Sequence, residues 1–142
     1  GLIVAKAALN RLKISHPNIY IFSQEEMLPA AAQGAIGIEV IEENLEAETI
    51  NLLQSINDNL TFKATEIERT VVAALQGNCL SPISALCKIS DQDVELKVRV
   101  SNQKGSEVYD QKEIFKLDNK IEALEGFIEK LISNGAKTLI QK

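Results

Sequence analysis

The stretch VELKVRV, residues 94–100, alternates Val94, Leu96, Val98 and Val100 with Glu95, Lys97 and Arg99. A period of two is the pattern of a strand with one face buried and the other wet. Just upstream, ISALCKI (residues 83–89) turns Ile83, Ala85, Cys87 and Ile89 to one side, and a less regular strand pattern runs over residues 107–115. The linking segments SDQD and SNQKGS are polar enough to be the hairpin turns between them. Helical patterns flank the three strands. Before them, Leu60, Ala64, Ile67, Val71, Ala74 and Leu75 share one face. Gly77 and Asn78 then offer residues that tolerate the left-handed backbone of a helix end, and Pro82 follows. After the strands, Ile121, Leu124, Ile128 and Leu131 form a second stripe, stopped by Asn134-Gly135. The order helix–strand–strand–strand–helix predicts an α+β domain over residues 58–142. Its three-stranded antiparallel sheet is covered on its apolar face by two helices.

Residues 1–57 do not close on themselves in the same way. Their patterns predict a helix over 2–12, a strand over 18–22 and a strand over 35–40, where Ile36, Ile38 and Val40 alternate with Gly37 and Glu39. The acidic run EENLEAE, residues 42–48, reads as a solvated start to a helix over 46–56. Two short helices and two lone strands bury too little apolar area to stand alone. At 142 residues the chain suits one modest domain plus pieces of others.

A net charge of −5, few aromatics and no basic stripe exclude a general nucleic-acid surface. Any anionic ligand has to be held by a few local cations. No apolar run approaches the ~20 residues of a membrane span. The opening GLIVAKAALNRLK lacks the basic and small-residue features of a signal peptide, so a cytoplasmic location is expected. Its lack of an initiator Met suggests a mature end or a shortened chain. Two cysteines and one histidine, His16, cannot make the usual zinc set, so no metal site is expected. Cys79 and Cys87 could pair, but a reducing compartment favours free thiols.

Cys79 lies in LQGNCLSPI, residues 75–83, just past a helix end whose negative dipole disfavours a thiolate. No His or Lys neighbours it and CxxC is absent, which counts against a thiol protease or a redox centre. It is either a small turn residue packed under its loop or a thiol with a use not visible locally. Cys87 has inward parity and reads as buried and structural. In LPAAAQGAIG, residues 28–37, Gly34 and Gly37 would let backbone N–H groups approach a ligand, or mark a tight crossing between domains. Arg11 and Lys13 end the first helix, where the dipole favours positive charge whatever their use. Arg69 falls opposite the apolar stripe, as a solvated residue or an interdomain contact. His16, before Pro17, reads as a loop residue.

Taken together, LPAAAQGAIGIE, then Glu68-Arg69 about 40 residues on, then LQGNCLSPI, resemble the porphobilinogen deaminases, or hydroxymethylbilane synthases. That family shows LPA-x-x-QGA-x-GIE, an ER-containing helix and a Gly-x-Cys-x-x-Pro-Ile loop at closely similar spacing. With ALNRL before the first loop, the resemblance runs the length of the chain. Family members are roughly twice as long, so the resemblance is to their C-terminal half. It implies that residues 1–30 end the family's second domain, that 31–57 cross back to the first, and that 58–142 form the third, cofactor-anchoring domain. Residues 1–57 would then be segments of two incomplete α/β domains.

The resemblance implies that Cys79 carries a dipyrromethane cofactor through a thioether, and that four porphobilinogen units are added to it with loss of ammonia. The electrophile it meets is a reactive azafulvene, so a thiol without a local base suffices. A flexible loop would suit such a tether. Arg11 matches an arginine that binds substrate or cofactor carboxylates, by charge-assisted pairing. Gln33 and Gly34 match a QG pair lining the cleft, and Arg69 an arginine giving cofactor support or interdomain contact. Where the family often has Val-Gly before that Gln, this chain has Ala31-Ala32. Where it often has Gly-Gly-Cys or Gly-Asp-Cys, this chain has Gly77-Asn78-Cys79. The family's catalytic aspartate and most of its carboxylate-binding cations belong to the other half, so no catalytic residue is expected here and the fragment alone should be inactive. The implied partners are porphobilinogen, the growing pyrrole chain and the missing N-terminal half, within a monomeric parent enzyme. An alternative is a non-catalytic α+β binding or regulatory module with a structural cysteine loop; a thiol enzyme with Cys79 as nucleophile is a third, weakened by the missing base.

Overall fold

A computed structural model of the chain describes residues 1–41, 43 and 45–141. Glu42 and Asn44, inside the acidic run read as a helix start, and Lys142 lie outside the described residues. In chain order the elements are α1 (Lys6–Leu12), α2 (Ala47–Ile56), α3 (Asn59–Ala74), β1 (Ile83–Ser90), β2 (Asp93–Ser101), β3 (Val108–Lys116), α4 (Lys120–Ser133) and α5 (Ala136–Ile140).

The three strands form one antiparallel sheet in the order β1-β2-β3. Ile83 stands opposite Val100 and Ser90 opposite Asp93, while Asp93 and Ser101 of β2 face Lys116 and Val108 of β3. This register puts the alternating apolar residues on one face. Val94, Leu96 and Val100 are fully buried, with Val98 1% exposed. Against that face α3 packs on β1, α5 on β2 and α4 on β3. Val71, Phe127, Leu131 and Ala136 close the core from the helical side. The expected α+β layer is the one observed.

Some details differ from the sequence expectation. A short helix, α5, follows the stop at Asn134: Gly135 takes φ +86°, and the turned chain lays Ala136 into the core. Leu60 is exposed, because the first turn of α3 precedes the part covered by the sheet. That turn is capped instead by Asp58, whose carboxylate accepts a hydrogen bond from Thr61 N–H at 2.7 Å.

The expected strands over 18–22 and 35–40 do not form. A strand is stable only when a neighbour takes up its N–H and C=O groups, and the sheet of the described residues ends at β1 and β3. Neither α1 nor α2 buries a residue, and Leu2, Ile36 and Ile41 stand open to solvent. One piece of the first region does dock. Pro29 C=O accepts from Ala85 N–H of the edge strand β1 at 3.1 Å, and Ala31 packs against the core. On the outer sheet face, Lys97 reaches Glu25 at 2.6 Å, and the Arg99 guanidinium donates to the carbonyls of Glu25 and Glu26. The same guanidinium grips Asp110 through two hydrogen bonds of 2.7 and 2.9 Å.

Candidate functional site

The loop that carries Cys79 begins at the end of α3. Gln76 N–H donates to Ala73 C=O and Gly77 N–H to Val72 C=O, both at 2.9 Å. This pair of bonds is the Schellman ending, with Gln76 in the left-handed position at φ +58°. The sequence had pointed to Gly77 and Asn78 for that role, and neither has a positive φ. Gly77 is needed for space instead: a Cβ there would run into Ile83 Cδ1 and lie 3.1 Å from Val72 Cγ1.

Asn78 shapes the next three residues. Its side-chain oxygen accepts from Leu80 N–H at 2.8 Å, its own N–H donates to Ser81 Oγ at 2.9 Å, and its carbonyl accepts from Ser81 N–H at 3.1 Å. Pro82 then leads into β1, its carbonyl accepting from Ser101 N–H of β2 at 3.0 Å. The loop expected to be flexible is therefore a turn pinned at both ends, with Cys79 exposed at its tip and free. It is not packed under the loop. Cys87, also free, is buried on β1, and burial together with the nearby Glu68 carboxylate pushes its thiol up to about 12. The two cysteines are not paired.

The segment carrying Gln33 and Gly34 is a tight turn in which Gln33 N–H donates to Ala30 C=O and Ala35 N–H to Ala32 C=O. Ala32 has φ +58° and Gly34 φ +86°. Glu68 of α3 holds this turn. One carboxylate oxygen accepts from Ala32 N–H at 2.6 Å, the other from Cys87 N–H at 2.7 Å. Glu68 is only 5% exposed. The sequence marks it only as half of the Glu68-Arg69 motif and gives it no role, although an acid four residues after Ala64 and three before Val71 falls on the buried stripe.

Arg69, Gln33 and Gly34 are exposed on either side of that Glu68 contact, and Arg11 is exposed in the last turn of α1. Among the described residues no hydrogen bond or ion pair joins Cys79 to Arg11, Gln33, Gly34 or Arg69, and neither arginine is ion-paired. What the chain offers is one accessible thiol on a fixed turn, two uncommitted guanidinium groups and a glycine turn anchored through Glu68. The described residues hold no cluster of His, Cys, Asp and Glu able to bind a metal, and no helix long and apolar enough to cross a membrane.

Comparison with known proteins decides the family. Residues 1–49 match the family model described as porphobilinogen deaminase, dipyromethane cofactor binding domain, and residues 62–126 match porphobilinogen deaminase, C-terminal domain. The chain belongs to the porphobilinogen deaminase family. Among curated porphobilinogen deaminases, that of Campylobacter hominis is 37% identical over 145 residues, that of Campylobacter fetus 34% over 143, and that of Campylobacter jejuni subsp. doylei 32% over 144. Each match takes in 100% of this chain and 46% of the relative, so the chain spans about half the length of the porphobilinogen deaminases it matches. A dipyrromethane bound through sulfur needs a thiol open to its electrophilic carbon and cations for its acid groups. Of the two cysteines only Cys79 is open, and Arg11 and Arg69 are free of ion pairs among the described residues, so the residues present fit that group.

Proposed function

We propose that this chain is the C-terminal portion of a cytoplasmic porphobilinogen deaminase, and that Cys79 is the covalent anchor of its dipyrromethane. The observation that carries the proposal is the contrast between the two cysteines. Cys79 is exposed on a turn fixed by Asn78 and Ser81, whereas Cys87 is buried with its thiol pushed up to about 12. Only the first can form a thioether without unfolding the sheet. Once bound, dipyrromethane supplies the pyrrole end to which four porphobilinogen units are added with loss of ammonia.

The chain's own residues have simpler tasks. The Asn78 turn holds the sulfur at one place on the domain formed by residues 58–142. Arg11 binds acetate or propionate carboxylates, where a planar guanidinium can donate two parallel hydrogen bonds, and Arg69 gives cofactor support or an interdomain contact. Gln33 and Gly34 line the cleft, in a segment (residues 31–57) that crosses to the first domain, while residues 1–30 finish the second. Protonation of the leaving amine falls to residues of the N-terminal half, so the 142-residue chain by itself is inactive. Apolar residues left open before position 63, among them Leu2, Ile3, Ile36 and Ile38, support the need for that half.

Intact mass tests the anchor. Co-produced with the N-terminal half, the chain should gain the mass of one dipyrromethane. Cys79→Ser should lose it and Cys87→Ser should keep it. An unmodified Cys79 in that material would favour the non-catalytic α+β module instead.

A further inference from the structure

We propose that Glu68 is a positioning residue: its carboxylate ties the Ala32 amide to the Cys87 amide and thereby fixes where the Gln33–Gly34 turn stands on the anchoring domain. The functional part of this inference rests on the cofactor reading above; the structural part does not. Glu68 is 5% exposed and has no cationic partner among the described residues. A buried carboxylate without a counter-ion is costly unless its lone pairs are taken up by donors. Here each oxygen has one backbone N–H, at 2.6 and 2.7 Å, from segments 36 residues before and 19 residues after it. Such short, charge-assisted bonds are roughly twice as strong as neutral ones.

What the carboxylate holds is not an ordinary turn. Ala32 sits at φ +58°, a conformation that an L-residue with a Cβ adopts at a cost. It persists because the surroundings determine it three times over. Gln33 N–H is bound to Ala30 C=O, Ala35 N–H to Ala32 C=O, and Ala32 N–H to Glu68. Two residues earlier in β1, Ala85 N–H takes Pro29 C=O, so the outward amides of Ala85 and Cys87 are filled by the crossing segment and by Glu68 in turn. Glu68 thus completes the edge of the sheet and aims the turn through one side chain. It neither touches a reacting atom nor supplies a proton.

Amide hydrogen exchange on the 142-residue chain tests the structural part directly. In Glu68→Gln, one oxygen is replaced by an NH2 that faces an N–H, so exchange should speed up at least tenfold at whichever of Ala32 and Cys87 meets it, with Gln33 and Ala35 following Ala32, while Phe127 and Leu131 keep their protection. Ala32→Gly in the same background removes the backbone strain and should recover part of the protection at Gln33 and Ala35. Unchanged exchange at both Ala32 and Cys87, or an equal rise at every amide, would overturn the proposal. Should Glu68→Gln fail to fold, Glu68→Asp keeps the charge and shortens the reach, and is scored on the same amides. In the protein assembled with its N-terminal half, Glu68→Gln should retain the dipyrromethane mass and a KM within about twofold, with kcat down at least tenfold. Normal kcat would overturn the positioning role while leaving the anchor intact; missing dipyrromethane mass in the unsubstituted protein would instead sink the cofactor reading and leave the exchange result standing.

Discussion

Residues 58–141 and residues 1–57 are built from similar materials and end in opposite conditions. In the later region a strand pattern finds two neighbours and three helices to cover it, and Val94, Leu96, Val98 and Val100 vanish from solvent. In the earlier region Ile36, Ile38 and Val40 alternate just as cleanly, and remain at 95%, 61% and 44% exposure. Alternation therefore specifies a face, and only a partner turns that face into a core. The exception sharpens the contrast: residues 24–32 belong to the earlier region, yet they are docked through Glu25, Pro29 and Ala32.

The largest effect expected from this contrast is on stability. Phe127→Ala removes a fully buried ring and should cost about 3–5 kcal/mol in urea unfolding. Phe22→Ala, at a ring 48% exposed, should stay within about 0.5 kcal/mol. Similar losses at the two positions would mean that the regions share one core.

Next in size is Gly77→Ala, which places a methyl against Ile83 and Val72 where α3 meets β1. Overpacking of this kind should cost about 1–3 kcal/mol, and it should do so without slowing alkylation of Cys79, whose turn is held by Asn78 and Ser81. A Gly77→Ala protein of unchanged stability would show that the corner can open and that the later region is less rigid than its packing implies.

How much of this was legible in the sequence follows the same division. The sheet, its register of inward residues and its two long helices could be read from periodicity, because each pattern repeats over several turns or pleats. Burial of Cys87 was legible from its strand parity, whereas loop position alone left open whether Cys79 was packed under its turn or exposed. Features set by single contacts across the chain were not legible. Ala32 and Gln76 take positive φ without being glycine, since Glu68 and the Schellman bonds hold them there. Glu68 itself could have been noticed as an acid on an apolar stripe, but its two amide partners lie 36 and 19 residues away. Strands were expected at 18–22 and 35–40 because local alternation cannot say whether a neighbouring strand exists.

The clasp on residues 24–32 offers a third test, read as protease sensitivity. Cleavage should fall first at 1–23 and 35–57, with 24–32 protected. Lys97→Ala should expose that stretch while leaving the core melting unchanged. Lys97 holds the Glu25 carboxyl below its usual 4.5, by hydrogen bond first and charge second. A lowered pKa gives a contribution that is present above 4.5 and lost as pH falls through the folded value, so acid should release the clasp as Lys97→Ala does. The Cys87 thiol works in the opposite direction. Raised from 9.0 to about 12, it leaves stability whole below 9 and erodes it between 9 and 12. The two regions should therefore loosen at opposite ends of the pH scale, the clasp in acid and the sheet in alkali.

The smallest effect expected is a gain. Gln76 occupies the left-handed end of α3 at φ +58°, which costs a residue with a Cβ about 1–2 kcal/mol. Gln76→Gly removes that cost but gives the unfolded chain more freedom, worth about 0.5–1 kcal/mol against folding. The difference should leave the protein up to about 1.5 kcal/mol more stable, seen as a higher urea midpoint with an unchanged slope. Neighbouring Gly77 makes the opposite trade: there the backbone is ordinary and the space is missing. Glycine at 76 should therefore help and alanine at 77 should harm, although both substitutions fall in one helix ending. A loss at Gln76→Gly would mean that the Gln76 side chain, exposed beside the Cys79 turn, is held there for a purpose other than ending the helix.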